Sequence, residues 1–469
     1  MSKLVSLLAS AVVFLAGCTL IPEYTRPEPP VPSQWPAGPA YREPPATPEA
    51  PLAADLEWRD YFPDARLQAL IEIGLRNNRN LRSAALNVER ARALYRVQQT
   101  ELLPVVDAAG QRREQRTPGV INGTGRSVTV KQYSAEVGVA SWDIDFFGRI
   151  RSLTQAALEQ YFATEQARRS AQILLISEIA NVYLTLAADR DSLALSKSTL
   201  ETQQAAYDLI RLRFETGVVS ELDLRQSQTR VDSARVDVVR FTEKLARDEN
   251  ALNLLVGSPV APELLPEGLP AVSTPPALSP GLPSYVLLHR PDVMQAESVL
   301  KAANANIGAA RAAFFPSITL TGAVGTASGD LTNLFKHGSF AWNFAPQITM
   351  PIFDARTWVA LKVSEVEKEL AVSQYEGAIQ AAFSDVANAL ARFGTIDGQV
   401  QAQQSLVDAT AATYRLSTAR YDQGIDIYLN VLDAQRSLFA AQLDLIATNL
   451  LKLSNQVDLY AALGGGGGS

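Results

Sequence analysis

Arg213-Phe214-Glu215-Thr216-Gly217-Val218-Val219-Ser220-Glu221-Leu222-Asp223-Leu224 returns, as a near copy, in Arg420-Tyr421-Asp422-Gln423-Gly424-Ile425-Asp426-Ile427-Tyr428-Leu429-Asn430-Val431. In each stretch an arginine, an aromatic residue and then a glycine end a helical pattern. Glycine takes the left-handed cap conformation without steric cost, and a basic residue suits the dipole of a last turn. A β-branched residue follows and the chain re-enters a helix. Each stretch therefore reads as the tip of an antiparallel helical hairpin, and the rest of the chain is placed by its distance from the two tips.

Upstream of the first tip, residues 149–216 contain neither glycine nor proline, and Ile176, Ile179, Tyr183 and Leu186 step by three and four as a heptad seam does. A helix of that length is about 100 Å long. A compact globule of this many residues has a radius of gyration of about 23 Å, so a ball is excluded. Downstream, a second helix without glycine or proline covers residues 220–256. The plan then recurs. A helix begins near Asp64, a good N-cap, and runs to Leu103, where Pro104 stops it; its counterpart at 284–315 is stopped by Pro316. Extended segments at 105–115 and 132–144 have counterparts at 317–328 and 340–350, and a long helix at 354–423 leads to the second tip and a last helix ending near Leu463. In the second long helix Ile379, Phe383, Val386, Leu390 and Phe393 carry the seam.

The matching landmarks lie at offsets near 210, so the chain reads as an internal duplication. The expected organisation is a signal peptide over 1–17, an extended lipid-anchored segment over 18–60 and a first repeat over 61–258. A Pro-rich linker over 259–283, a second repeat over 284–463 and a Gly/Ser tail over 464–469 complete it. The tail has the composition of an appended linker rather than of native structure.

Among the 469 residues the only cysteine is Cys18 and the only histidines are His289 and His337, which excludes disulfides, zinc sites and a Cys-His dyad. The formal charge of -7 points away from nucleic acid. Asp143 and Asp145 pair two carboxylates where a strand meets a helix, a place for capping rather than acid-base work, and no nucleophile motif or phosphate loop is present. No enzyme is expected. The start of the chain has one early lysine, an apolar run and small residues before Cys18, the plan of a secretory signal. Its ending, Leu15-Ala16-Gly17-Cys18, resembles a bacterial lipoprotein cleavage box, which makes Cys18 the expected lipidation site. An ordinary signal peptide remains the alternative. In the lipoprotein resemblance, Thr19 rather than aspartate favours the outer membrane.

Strands of ten to twelve residues are long enough to cross a bilayer when tilted. Four of them cannot close on themselves, and an open edge in lipid leaves backbone groups unsatisfied. If they span a membrane, several chains share one barrel, and twelve strands from three chains lie within the known size range. Phe146, Phe147, Trp142, Phe314, Phe315, Phe335, Phe340, Trp342 and Phe353 sit at strand ends as interfacial girdles do. From the strands alone, the core of a soluble sandwich stays open.

Four segments now carry a family resemblance: Trp142-Asp143-Ile144-Asp145-Phe146-Phe147-Gly148-Arg149, His289-Arg290-Pro291-Asp292, Ala309-Ala310-Arg311-Ala312-Ala313-Phe314-Phe315-Pro316-Ser317 and Leu432-Asp433-Ala434-Gln435-Arg436-Ser437-Leu438. The chain resembles outer-membrane factors of the TolC family, in particular the OprM-type lipoproteins of multidrug efflux pumps. The resemblance implies a mixed, mostly α fold. Three chains would form a twelve-stranded outer-membrane β-barrel continuous with a twelve-helix periplasmic α-barrel. It implies a homotrimer, a periplasmic membrane-fusion adaptor, an inner-membrane transporter of the resistance-nodulation-division class that supplies energy, and outer-membrane lipid around the barrel. The cargo is drugs and other toxic small molecules, and no cofactor is involved beyond the lipid at Cys18. A conduit for polypeptide secretion, of the type I kind, shares the fold, and a lipid-anchored helical scaffold without a pore is the reading from another class.

Two sets of positions carry over. Gly217, Val218, Val219, Ser220, Gly424 and Ile425 match the adaptor-docking tips, where a bare glycine lets a partner backbone come close; a helix cap alone is the other use. Leu429 and Asp433, one turn apart, match the constriction near the closed end, while Asp223, Arg420 and Tyr421 match positions that link the tips. Asp426 stands where some members have arginine, which leaves the pairing open.

Overall fold

The structure, a computed structural model, describes residues 19–41, 56–123, 125–276, 278 and 283–465. The expected signal peptide over 1–17 and the expected lipidation site Cys18 lie outside the described residues. The elements in chain order are α1 (Trp58–Tyr61), α2 (Ala65–Asn77), α3 (Arg79–Thr100), β1 (Val106–Thr117), α4 (Gly119–Asn122), β2 (Val128–Ile144), α5 (Arg149–Glu215) and α6 (Glu221–Val256). They continue as α7 (Pro283–His289), α8 (Pro291–Ala312), β3 (Ser317–Ser328), β4 (Phe340–Thr349), α9 (Ala355–Asp422) and α10 (Tyr428–Ala462). The described residues fall into two compact units, one within Met1–Glu28, Asn87–Thr164 and Gln295–Tyr375, the other within Pro29–Leu86, Glu165–Met294 and Glu376–Ser469.

The first unit holds the sheet. Its order is β1-β2-β3-β4, antiparallel throughout, so β1 and β4 are edges. Side chains alternate across a strand, and the register sorts them cleanly. On one face Phe340, Trp342, Phe344 and Ile348 of β4 lie 63–71% exposed, in register with Val324 of β3 and Val137 of β2. On the other, Gln111, Arg113, Gln132, Ser134, Glu136 and Asn343 line a polar hollow. Between Val139 and Trp142 the register slips by one residue, a bulge that lets Trp142 donate its indole N–H to the Leu102 carbonyl at 3.2 Å. Asp145 caps α5, its carboxylate accepting from the backbone of Ile150 and Arg151 at 3.1 and 2.9 Å. Asp145 thus has the capping use expected of the pair, while Asp143 takes the Arg149 side chain at 3.1 Å and the Thr319 hydroxyl at 3.2 Å.

Within this unit the first residues are docked rather than free. Ile21 packs on Ala156, Ala302 and Ala305, and the Pro22 carbonyl accepts from Asn304 at 2.8 Å. Arg26 grips buried Glu297 of α8 through two bonds of 3.0 Å, with Tyr24 donating to the same carboxylate at 3.1 Å. Burial alone would raise the Glu297 pKa, but Arg26 and Lys301 overcome it and hold the carboxyl below its ordinary value. The sequence reads as an extended tether here, and its first part is a strap bonded to its own scaffold.

The second unit holds the main apolar core. Leu67, Leu70, Ile71 and Gly74 form one buried stripe of α2 at helical spacing. They join Ile176, Ile179, Tyr183 and Leu186 of α5, Leu252 and Val256 of α6, Val386 and Leu390 of α9, and Val457 of α10. Tyr61 stacks on Tyr460 with centroids 4.3 Å apart and donates to the Gln456 carbonyl at 2.8 Å.

Three expectations are corrected. The first helix is two, broken at Asn78, whose side chain accepts from Leu81 N–H and donates to the Leu255 carbonyl. The helix over 284–315 is also two, broken at buried Arg290, which precedes Pro291 and binds Asp292, Asp385 and the Ala462 carbonyl. The tail begins as part of the fold. Gly464, at φ 76°, closes α10, with Gly465 N–H on the Tyr460 carbonyl at 2.9 Å and Gly464 N–H on that of Ala461 at 3.0 Å.

Asp248 of α6 faces Asp189 of α5 with Lys244 beside them at 3.5 Å from Asp189. Burial first, and then the Asp189 charge, push the Asp248 carboxyl up to about 6. A carboxyl with a raised folded pKa costs stability as pH climbs from its ordinary value of 3.8 to about 6, so the penalty is fully present at pH 8 and absent below 3.8. Asp248→Asn is therefore expected to stabilise the protein by about 1 kcal/mol at pH 8, after discounting for partial exposure, and to lose that gain near pH 4. Urea midpoints at both pH values check this; an equal gain at both would assign it to packing.

Candidate functional site

The two tips are built alike. At the first, Val218 N–H bonds the Arg213 carbonyl at 2.8 Å and Gly217 N–H bonds that of Phe214 at 2.9 Å; at the second, Ile425 bonds Arg420 and Gly424 bonds Tyr421, both at 2.9 Å. This pair of bonds is the Schellman closure, which requires a left-handed residue. Gly217 and Gly424 supply it at φ 75° and 72°. A side chain on either would meet nothing within 4 Å. The chain then re-enters a helix by a capping box at the first tip, where Ser220 accepts from Asp223 N–H and Asp223 accepts from Ser220 N–H. At the second tip Ile427 occupies the cap without a side-chain bond.

The tips lie side by side. Ile210, Tyr428, Val431 and Leu432 form a buried cluster, with Val219, Leu224, Tyr414 and Tyr421 packed on it. Arg213 donates to the Tyr421 hydroxyl at 3.3 Å, and the Tyr421 and Tyr428 rings lie 5.1 Å apart. Burial, then neighbouring Tyr421, push the Tyr428 hydroxyl up to about 12. The outer surface of the tips carries exposed apolar side chains among polar ones: Val218 is 71% exposed, Leu222 65%, Ile425 56% and Ile427 65%, beside exposed Glu221, Asp422 and Gln423. Among the positions expected to dock, Val219 faces inward while Gly217, Val218, Ser220, Gly424 and Ile425 are exposed.

Of the three residues expected to link the tips, Tyr421 does so, through Arg213. Asp223 stays within its own cap, and Arg420 pairs with Asp426 on its own tip. The hydrogen bond from Arg420 holds the Asp426 carboxyl below its ordinary value, so within one chain Asp426 is the partner of Arg420. Leu429 and Asp433 project from the exposed side of α10, opposite the buried Val431 and Leu432. Asp433 carries an ion pair to Arg436, three residues on. Arg213 and Arg436 are the partners of Tyr421 and Asp433 that the sequence reading did not single out. The spacing of Asp433 and Arg436 was the available signal, since residues three apart on a helix are neighbours.

A separate hollow lies elsewhere in the same unit, a groove of about 530 Å³ lined by Arg290, Asp385, Arg392, Asn455 and Asp458. It does not include any of the tip residues.

Comparison with known proteins gives a consistent result. A family model described as outer membrane efflux protein matches residues 70–258 and 282–465. The chain is 47% identical over 470 residues to the probable efflux pump outer membrane protein TtgC of Pseudomonas putida, across 99% of this chain and 96% of that one. It is 39% identical over 456 residues to outer membrane protein OprJ of Pseudomonas aeruginosa, across 96% and 94% of the two chains. Among solved structures, the open state of the Neisseria gonorrhoeae MtrE outer membrane channel superposes with a TM-score of 0.85 at 37% identity, covering 96% of this chain and 98% of that one.

Proposed function

Since the chain belongs to the outer membrane efflux protein family, we propose that three copies of it form one gated exit duct, joined to an adaptor at the helical tips. It is the outer-membrane channel of an efflux system in a Gram-negative cell, a transport protein that extends into the periplasm. Three sheets close into a twelve-stranded barrel with the apolar face toward lipid and the polar face toward the lumen. The paired long helices of the two sequence repeats, twelve in the trimer, wall the periplasmic part. The protein carries drugs and other toxic small molecules passively and performs no catalysis. An inner-membrane transporter of the resistance-nodulation-division class supplies the energy, and a periplasmic membrane-fusion adaptor docks on the tips. A lipid on Cys18 anchors the start of the mature chain.

The sheet is the observation that supports this assembly most directly. It has one apolar and one polar face, and both edges are open among the described residues. Unpaired edge groups cannot remain in hydrocarbon, and four strands are too few to meet around a lumen. Further copies must pair with β1 and β4. At the tips, Leu429 contributes an apolar ring and Asp433 a charged one near the closed end, which sets both the resistance of the duct and its preference among ions.

The purified protein in detergent is expected to have the mass of three chains, and in a planar bilayer to give small, cation-leaning and mostly closed currents. A monomer without current would sink the shared barrel and return the chain to a scaffold.

A further inference from the structure

The apolar face of the sheet stops at one row. Phe340 of β4 is in register with Thr326, and Thr326 with Ala135, which pairs with Gly110 of β1. One row further toward the β1–β2 hairpin the same face carries Arg112 opposite Tyr133, then Glu114 opposite Lys131, then Arg116 opposite Thr129. The Arg112 guanidinium lies 5.8 Å from the Tyr133 ring centroid. Glu114 takes Arg112 at 2.7 Å and Lys131 at 3.7 Å, and Arg116 donates to Ser127 at 3.1 Å. Two of these cations therefore share one carboxylate and the third, Arg116, has a hydroxyl partner, on a chain whose total charge is -7.

In a sheet that spans a bilayer, a cation beside an aromatic ring at the border of the apolar band sits at headgroup depth. The ends of the strands that join α3 and α5 are the other ends, so this row faces the outer leaflet. Arg112 and Arg116 are four residues apart on one side of a strand, about 13 Å, the span of two phosphates at opposite ends of a disaccharide headgroup. Guanidinium forks match phosphate oxygens in geometry as well as charge.

We propose that Arg112, Arg116 and Lys131 form a binding site for a phosphorylated glycolipid of the outer leaflet, with Glu114 setting its affinity. The site rests on the membrane-spanning reading of the sheet. Arg113, on the same strand but the opposite face, is no part of it.

Native mass spectrometry of the full-length assembly tests this, titrating bisphosphorylated lipid A, the same lipid with both phosphates removed, and bisphosphorylated lipid A against millimolar inorganic phosphate. The triple variant Arg112→Gln, Arg116→Gln, Lys131→Gln is expected to bind the phosphorylated lipid about tenfold more weakly, and Arg113→Gln to stay within about twofold of the unaltered protein. Glu114→Gln, which frees two cations, should bind about threefold more tightly, a gain that misfolding cannot imitate. Equal binding by the triple variant, equal binding of the dephosphorylated lipid, or full displacement by inorganic phosphate would each overturn the site. Flotation with liposomes separates the two readings: if the unaltered protein does not insert, the membrane reading itself falls, whereas an inserted protein without these differences sinks the lipid site alone.

Discussion

Tryptophan at both Gly217 and Gly424 is expected to abolish drug resistance supported by the channel, while alanine at both positions keeps most of it. The two substitutions share one cost. Each places a side chain on a left-handed residue, at about 1–2 kcal/mol per site, and neither meets a neighbouring atom. They differ in bulk. Tryptophan covers the bare backbone between Val218 and the capping box, and between Ile425 and Ile427, where the adaptor is proposed to approach. Its expected effect on adaptor affinity is about 100-fold, or roughly 2.7 kcal/mol. Susceptibility in a strain lacking its own copy, together with adaptor binding to the purified protein, checks this. Tryptophan variants that bind the adaptor as well as the alanine variants do would remove the glycines from the docking surface and leave them as caps.

Opening the closed end is the second large effect. Leu429→Ala with Asp433→Ala is expected to raise single-channel conductance roughly threefold, since an apolar ring and a charged ring are removed at neighbouring levels of the constriction. The Asp433–Arg436 pair refines the expectation. Asp433→Ala alone leaves the Arg436 guanidinium, 64% exposed, without that carboxylate, so the current should shift toward anions. Asp433→Ala with Arg436→Ala should restore near-neutral selectivity. Conductance and reversal potential in a salt gradient separate the contributions, and unchanged values in every variant would take both residues out of the gate.

The first long helix was legible because nothing interrupts it, and the second because its seam persists through Gly377, Gly394 and Gly398 without a proline. Residues 149–215 offer neither glycine nor proline, and α5 ends where the first tip glycine stands. The tips were legible for the same reason, as glycine is the residue that a Schellman closure needs. Breaks caused by distant partners were not legible. Asn78 is tolerable in a helix by propensity, and it interrupts this one through a carbonyl 177 residues away. Arg290 was nearer to hand, because the residue before a proline avoids the helical region. Glu297 reads from its surroundings as a solvated helix residue; its burial comes from Arg26, 271 positions earlier. At the site, the apolar faces of the tips were visible as residue types, but not which would turn inward. Val218 and Val219 are adjacent and alike, and only packing against the Ile210 and Tyr428 cluster separates the half-buried one from the exposed one.

The Tyr61 stack on Tyr460 fixes a chronology. Residues 395 positions apart share a hydrogen bond there, so the core around α2 cannot close until almost the whole polypeptide has been synthesised and exported. The strap at Arg26 waits in the same way for Glu297. Contacts so remote in sequence are slow to form, and during that wait the strands of both hairpins have no completed scaffold to hold them apart from other chains. Those parts of the molecule that emerge first are among the last to find their places. Assembly is thereby held back until the second half has arrived, which guards against a half-made duct in the membrane.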